Sequence, residues 1–258
     1  GPGPRAALPP WARATAGRAD CAAAGLSLQP GAAGVPAPAA GVSDADIAWL
    51  TENGIIAQRI FQLPWGAVGF DRMHDVMSRV HPAGWHANIQ LDGRELPQWE
   101  DTIKKLPGKF VIDHVGKYLE PVTPEHEAFK SLLRLLDTGR CWVKLSAPYE
   151  TSKTGAPKYD DVGRLAKALV KHAPERMMWA SNWPHPSAPK DNIPDDADLL
   201  DLLLDWAPDE ATRRKILVDN PGELYGFRSD LCSQRSTDSP PRHAWCWLIE
   251  RLKLNAAI

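Results

Sequence analysis

Between residues 43 and 227, short apolar segments alternate with longer segments of helical periodicity. Short strands that alternate with helices of about 10–15 residues indicate βαβ units, whose strands run parallel. With right-handed crossovers, the pattern predicts either a (β/α)8 barrel or a doubly wound sheet. The segments predicted as strands are residues 55–61, 85–91, 110–114, 141–146 and 177–181.

The chain lacks the phosphate-binding loops of nucleotide-binding proteins. No GxGxxG or GxxxxGK[ST] pattern follows any predicted strand, which excludes the nucleotide-binding forms of the open sheet. The predicted strands are fewer than the eight of a closed barrel, and the patterned segment is shorter than the roughly 250 residues of a typical one. We therefore predict an α/β fold. If this fold is a (β/α)8 barrel, it is incomplete at its N-terminus.

The segments on either side of residues 43–227 have a different composition. Residues 1–42 are rich in Ala, Gly, Pro and Arg and show neither helical nor strand periodicity, so we expect them to be disordered or non-native. Residues 228–258 begin with polar residues and end in a segment, 244–254, whose apolar residues follow helical spacing. The predicted organisation is one barrel-like domain between two tails.

Charge and cysteine content exclude several classes of partner. The formal net charge of −2 gives no support for binding to nucleic acid or to a membrane surface. No apolar run approaches the roughly 20 residues that span a bilayer. The four cysteines have no CxxC spacing and the N-terminus has no secretory signal, so we expect free thiols and a cytoplasmic protein. The sequence predicts no particular oligomeric state.

Several predicted strands end in polar or charged residues. In barrel enzymes, the loops at the carboxyl ends of the strands converge on one mouth, where the active site lies. Tyr149 could bring a phenol to this mouth, although a tyrosine in such a loop is at least as often a packing residue. The candidate residues at or just after the strand ends are Arg59, Gln90, Asp92, His114, Lys117, Ser146, Tyr149, Asn182 and His185.

His114 ends an apolar strand and lies close to the cation of Lys117 in the sequence. It could be a metal ligand, an acid–base group or a donor to a carbonyl, or it could be a core histidine bonded to the backbone. Strand alternation places it opposite Asp113, so the two do not form a hydrolase dyad. Arg59 lies among apolar residues and must be paired, either with an anionic ligand or with an internal carboxylate. We expect Lys144 to be structural.

The sequence gives little support for a metal or a serine nucleophile. No GxSxG elbow is present. A zinc site needs three or four convergent ligands, whereas we find His114, with His185 as a second candidate, and neither an HxH pair nor an HExxH helix. We therefore expect no cofactor, and a divalent metal such as zinc is disfavoured.

A set of motifs, in order along the chain, resembles the amidohydrolase superfamily. The branch that they resemble most is the amidohydrolase 2 type that contains 2-pyrone-4,6-dicarboxylate lactonase and related lactone hydrolases and isomerases. The resemblance covers residues 43–227. The motifs are GWH at 84–86, LDGR at 91–94, VIDHVGK at 111–117, VKLS at 143–146, WASNWPHP at 179–186 and LVDNP at 217–221.

The resemblance implies a distorted (β/α)8 barrel of TIM type that hydrolyses or isomerises lactones of small dicarboxylates, in some members without a metal. It implies that His114 polarises the scissile carbonyl. It places Arg59 and Lys117 where cationic side chains hold substrate carboxylates, and such cations would steer a dianionic substrate. We add Tyr149 as a further candidate for substrate binding. Asn182 falls at the position of the aspartate that activates water.

Two departures from the family pattern weaken the case for catalysis. The family's first strand carries a His-x-His pair, and residues 1–54 contain no histidine. Asn182 cannot accept a proton as a base, although its amide can orient a water or donate to an oxyanion. His185 is a candidate substitute base, and its alternative role is to brace the proline-flanked loop.

The leading prediction is a hydrolase in which water attacks the ring ester carbonyl of a small carboxylated lactone, in a chain whose activity is impaired. One alternative is a non-catalytic binder of small dicarboxylates, which keeps the cations but lacks a base. Another is a lactone isomerase, which changes ring size without consuming water. All three predict a small molecule as the partner.

Overall fold

Six parallel strands form one sheet whose spatial order follows the order of the chain. The computed structural model describes residues 33–35, 42–62 and 68–226. The five strands predicted from the apolar segments are confirmed, and β1 lies in the segment 1–42, where no periodicity predicted a strand. The strands are β1 (Ala33–Val35), β2 (Ile55–Phe61), β3 (His86–Gln90), β4 (Phe110–Ile112), β5 (Cys141–Leu145) and β6 (Met177–Trp179).

A helix follows every described strand, so each parallel pair of strands is joined by a βαβ crossover. The order of a doubly wound sheet reverses at a switch point, whereas this order never reverses. The predicted class, an α/β fold of TIM-barrel type, is thereby confirmed. The helices are α1 (Asp44–Glu52), α2 (Met73–Val80), α3 (Leu96–Lys104), α4 (Glu127–Leu136), α5 (Asp160–His172), α6 (Asp196–Trp206), α7 (Glu210–Arg214) and α8 (Asn220–Tyr225), the last two joined by a π-helical turn, Lys215–Asp219.

The sheet has one apolar face and one face that carries polar side chains. Alternate residues, such as Ile60, Ile89 and Val143, pack in the main hydrophobic core. The residues between them face the opposite way, and the register aligns Arg59 with Asn88 across β2 and β3. Charged groups on such a buried face must be paired. The buried polar residues on or at the end of this second face include Asn88, Gln90, Asp113 and Lys144.

The loops after β3 and β4 approach each other closely at Gly93. Its backbone nitrogen donates to the carbonyl oxygen of Lys117 (3.1 Å). A Cβ at this position would lie 2.4 Å from the backbone oxygen of Gly116 and 2.6 Å from a ring carbon of Tyr118. Glycine is therefore required for this approach, which supports the loop that carries His114.

Two predictions concern parts of the chain outside the sheet. The tail at residues 228–258, with the helix predicted at 244–254, lies outside the described residues. Within residues 42–62 and 68–226, every helix is too short or too polar to cross a membrane.

Candidate active site at the strand ends

The loops after β4 and β6 turn through left-handed backbone conformations. His114 (φ 54°), Lys117 (φ 47°), Asn182 (φ 65°) and His185 (φ 59°) all have positive φ, although none is glycine. A residue other than glycine in this region costs about 1–2 kcal/mol, and such residues cluster at functional sites. Because of these turns, side chains beyond each strand no longer follow the alternation of that strand.

His114 is a buried imidazole held by one hydrogen bond. Its Nδ1 lies 2.8 Å from Ser146 Oγ, and Nε2 has no hydrogen-bond partner in the part of the chain that the structure describes. Burial lowers the pKa of His114 to about 4, although the Asp113 and Glu150 carboxylates act in the opposite direction. The ring is therefore uncharged at neutral pH, and Nε2 is available to a ligand.

Glu150 is the carboxylate at the centre of the site, and no sequence motif pointed to it. It accepts hydrogen bonds from Lys117 Nζ, Asn182 Nδ2 (3.0 Å) and Ser187 Oγ (2.5 Å). Burial alone would raise its pKa, but His114 and Lys117 act against burial, and the net shift is downward. Glu150 is therefore ionised at neutral pH, with Lys117 as its counter-ion.

Asn182 connects Glu150 to a second chain of polar groups. Its amide nitrogen donates to Glu150 Oε1 (3.0 Å) and to Tyr149 Oη (2.8 Å). Tyr149 Oη also lies 2.9 Å from His185 Nδ1, and His185 Nε2 lies 3.1 Å from Asp196 Oδ1. Burial raises the pKa of Tyr149, and the hydrogen bond from Asn182 only partly offsets this shift. The phenol therefore keeps its proton at neutral pH.

Arg59 belongs to a separate cluster, on the second face of the sheet. Its guanidinium donates to the carboxylate of Asp113 and to the side-chain oxygen of Gln90, and Lys144 Nζ lies 3.2 Å from Asp113 Oδ1. Burial alone would raise the pKa of Asp113, but Arg59 and Lys144 lower it overall. Of the two partners considered for Arg59, the structure shows the internal carboxylate. A ligand would have to compete with Asp113 for this guanidinium.

The amidohydrolase family model matches residues 7–227 of the chain. The chain belongs to the amidohydrolase family. It is 38% identical to D-galactarolactone isomerase of Agrobacterium fabrum over 184 residues. This alignment covers 71% of this chain and 63% of the relative. It is 33% identical over 206 residues to 2-pyrone-4,6-dicarboxylate hydrolase of Comamonas testosteroni, covering 75% and 67%. This amidohydrolase therefore spans less than two thirds of the length of D-galactarolactone isomerase.

A solved structure supports the same relationship. The apo crystal structure of an Agrobacterium tumefaciens protein matches with a TM-score of 0.69 at 36% identity, over 73% of this chain and 66% of that one. The family match begins within residues 1–42, whose predicted disorder stays a prediction.

The donor set in the described residues of this amidohydrolase does not fit a metal ion. Within the described residues, no group of three or more His, Cys, Asp or Glu side chains is placed to hold one. The carboxylates near His114, Asp113 and Glu150, are already paired with the cations Arg59 and Lys117, so neither is free to bind a divalent ion. No step of the reaction is therefore assigned to a metal.

Six of the candidates were given a catalytic or binding role, and five of these lie in the loops at the strand ends: His114, Lys117, Tyr149, Asn182 and His185. The sixth, Arg59, lies on β2, bound to Asp113. Glu150 and Asp196 connect the loops although they belong to no motif. The sequence signal of Glu150 was its place shortly after the predicted strand at residues 141–146, whereas Asp196 begins helix α6 and had no such signal. The catalytic or binding role of each residue stays a prediction.

Proposed function

We propose that this amidohydrolase opens small lactones that carry carboxylate groups. The named relatives are a lactone isomerase and a pyrone-dicarboxylate hydrolase, which supports this substrate class. The observation that carries the proposal is the uncharged imidazole of His114 close to the ion pair of Lys117 and Glu150. A neutral donor suits a ring carbonyl, and a cation suits a carboxylate.

In this proposal His114 polarises the ring carbonyl. If the Ser146 hydroxyl donates to Nδ1, the imidazole proton is on Nε2, where it can donate to the ligand. Because the pKa is about 4, the ring acts at neutral pH as a hydrogen-bond donor and not as an imidazolium acid. Such a donor stabilises the oxyanion that develops when a nucleophile adds to the carbonyl.

Lys117 binds a substrate carboxylate. Its ammonium is paired with Glu150 and only 12% of its side chain is exposed, so a substrate carboxylate would share or replace that partner. Arg59 contributes a second positive charge from β2, where Asp113 and Gln90 hold it. Together these cations would steer an anionic substrate towards His114.

Hydrolysis by water is the leading reaction, and the similarity to D-galactarolactone isomerase supports isomerisation as the second candidate. The amide of Asn182 donates to both Glu150 and Tyr149 and offers no basic atom to a water. In an isomerase, a hydroxyl of the substrate would attack the carbonyl and no water would be consumed.

The proposed reaction uses no metal and no organic cofactor, and it involves neither nucleic acid nor a membrane. The cytoplasm is the proposed compartment because the four cysteines have no pairing motif and Cys141 is a free, buried thiol.

Turnover in oxygen-18 water tests the proposed function. The purified chain would be incubated separately with 2-pyrone-4,6-dicarboxylate and with D-galactarolactone. Label in the product indicates hydrolysis, and a change of ring size without label indicates isomerisation. If the chain converted neither lactone, this result would contradict catalysis. In that case, thermal stabilisation by a dicarboxylate would indicate a non-catalytic binder. We expect this stabilisation to be lost in Lys117→Met and kept in the control Lys153→Met, which alters an exposed lysine.

A further inference from the structure

Tyr149, His185 and Asp196 form a continuous chain of polar contacts. Tyr149 Oη lies 2.9 Å from His185 Nδ1, and His185 Nε2 lies 3.1 Å from Asp196 Oδ1. His185 is 5% exposed, and its ring meets the Tyr149 ring edge-on at a centroid distance of 5.5 Å. Packing therefore holds the imidazole between the phenol and the carboxylate.

The carboxylate of Asp196 sets the direction of these contacts. When ionised it can only accept, and its buried Oδ1 lies 3.1 Å from His185 Nε2 but has no well-aligned hydrogen-bond partner in the described residues. The proton of His185 therefore belongs on Nε2, which leaves Nδ1 as the acceptor for the Tyr149 hydroxyl. The amide of Asn182 donates to the oxygen of the same hydroxyl (2.8 Å). With this arrangement the Asn182 amide and the Tyr149 hydroxyl each have an acceptor, and the Nε2 proton of His185 faces the Asp196 carboxylate.

We propose that Tyr149 is the catalytic acid–base residue of the lactone reaction, and that His185 and Asp196 relay its proton. The inference rests on the proposed function. As the nucleophile adds to the ring carbonyl, its proton passes to Tyr149 Oη while the phenolic proton passes to His185 Nδ1. The electron pair of the carbonyl bond moves to oxygen, and Asp196 stabilises the imidazolium.

Collapse of the tetrahedral intermediate reverses the relay. The carbonyl forms again, the bond from the carbonyl carbon to the ring oxygen breaks, and that oxygen takes a proton from Tyr149. His185 returns its proton to Tyr149, so the enzyme ends in its starting state. With water as the nucleophile one molecule of water is consumed, and with a substrate hydroxyl only the ring size changes.

The relay supplies the base that Asn182 cannot provide. Burial raises the pKa of Tyr149, so a phenolate forms at neutral pH only if a nearby group takes the proton. His185 is that group, at 2.9 Å. The carboxylate of Glu150 is less suited, because it already accepts hydrogen bonds from Lys117 and Asn182.

Kinetics of single variants separate catalysis from binding. Tyr149→Phe removes only the hydroxyl, and we expect kcat to fall about 100-fold or more while KM changes by less than about threefold. His185→Gln should lower kcat by a similar factor, and Asp196→Asn by about tenfold. Tyr159→Phe alters a buried tyrosine outside the relay and should leave both constants unchanged.

Nitrogen NMR of the histidine side chains tests the relay without turnover. His185 should show the tautomer protonated on Nε2, assigned by the loss of its signals in His185→Gln. Asp196→Asn should perturb those signals. A tautomer protonated on Nδ1 would contradict the relay, because that nitrogen could not accept the phenolic proton.

The outcomes separate the inference from the proposed function. An unchanged kcat in Tyr149→Phe with a raised KM would show that the tyrosine only binds substrate, and it would overturn the relay alone. No turnover of either lactone by the unmodified chain would overturn the proposed function, and with it the catalytic role of Tyr149.

Discussion

The amide nitrogen of Asn182 lies 3.0 Å from Glu150 Oε1. An amide N–H and an ionised carboxylate are complementary, and Lys117 pairs with the other oxygen of Glu150. The resemblance to the family implies an aspartate at residue 182, yet an aspartate there would face a second carboxylate. The pair gives a physical reason for asparagine in this chain.

Asn182→Asp should therefore destabilise the protein and not restore a base. Two carboxylates at this distance cannot both ionise without repulsion, so we expect a loss of about 1–3 kcal/mol in the free energy of unfolding at neutral pH. Asn182→Asp combined with Glu150→Gln restores one amide and one carboxylate and should recover most of that loss. Urea unfolding checks both variants. A single variant as stable as the unmodified protein would argue against the pairing.

Arg59→Leu should be strongly destabilising. It removes one of two cations from the carboxylate of Asp113, which is 2% exposed, and breaking such a buried pair costs about 3–5 kcal/mol. Lys167→Met removes an exposed lysine that pairs with Asp205, and it should cost less than about 1 kcal/mol. The midpoints of urea unfolding compare the two. Equal midpoints would contradict the importance assigned to the buried pair.

Stability should fall as the pH decreases from about 6.5 towards about 4. Burial lowers the pKa of His114 to about 4 and that of His86 to about 3, with Lys144 and Lys109 adding to the effect at His86. In the unfolded chain both groups titrate near 6.5, so the unfolded state binds more protons in this range and stability rises with pH.

The contribution of one histidine to this slope can be measured directly. Each buried histidine adds up to about 1.4 kcal/mol per pH unit between its two pKa values. In urea unfolding from about pH 7 to about pH 5, His86→Gln should give a shallower decline than the unmodified protein. Parallel declines would show that His86 does not resist protonation in the folded state.

Gly93→Ala should disturb the loop that carries His114. The new methyl group would lie 2.4 Å from the backbone oxygen of Gly116, so one loop must move. Overpacking of this kind costs about 1–3 kcal/mol, and displacement of His114 should lower turnover as well. Thermal unfolding and turnover are the two measurements. Unchanged values of both would contradict the close approach of the two loops.

The strands and the site loops could be predicted because a buried strand and a helix have different periods. Asp113 and His114 have different hydrogen-bond partners, as predicted, although both lie beyond the end of β4 and the left-handed turn at His114 breaks the alternation. Strand β1, with the sequence AGV, has no run of bulky apolar residues, unlike the equally short β4 and β6, and so it could not be predicted. The contacts of Glu150 and Asp196 could not be predicted, because they depend on left-handed turns that hydrophobic periodicity does not encode. Strands of small residues and sharp turns are thus where sequence patterns lose information.

The positive φ angles at Lys117 and Asn182 have a consequence for how the protein can evolve. Glycine would adopt these conformations without the penalty of about 1–2 kcal/mol that other residues incur. Glycine would also remove a partner of the buried Glu150 carboxylate, so in a deep mutational scan scored by cellular abundance the relief of backbone strain should offset only part of the loss at both positions. The same scan scored by turnover should reject glycine. Positions where the two scores diverge are those where selection for chemistry, and not for folding, has determined the residue.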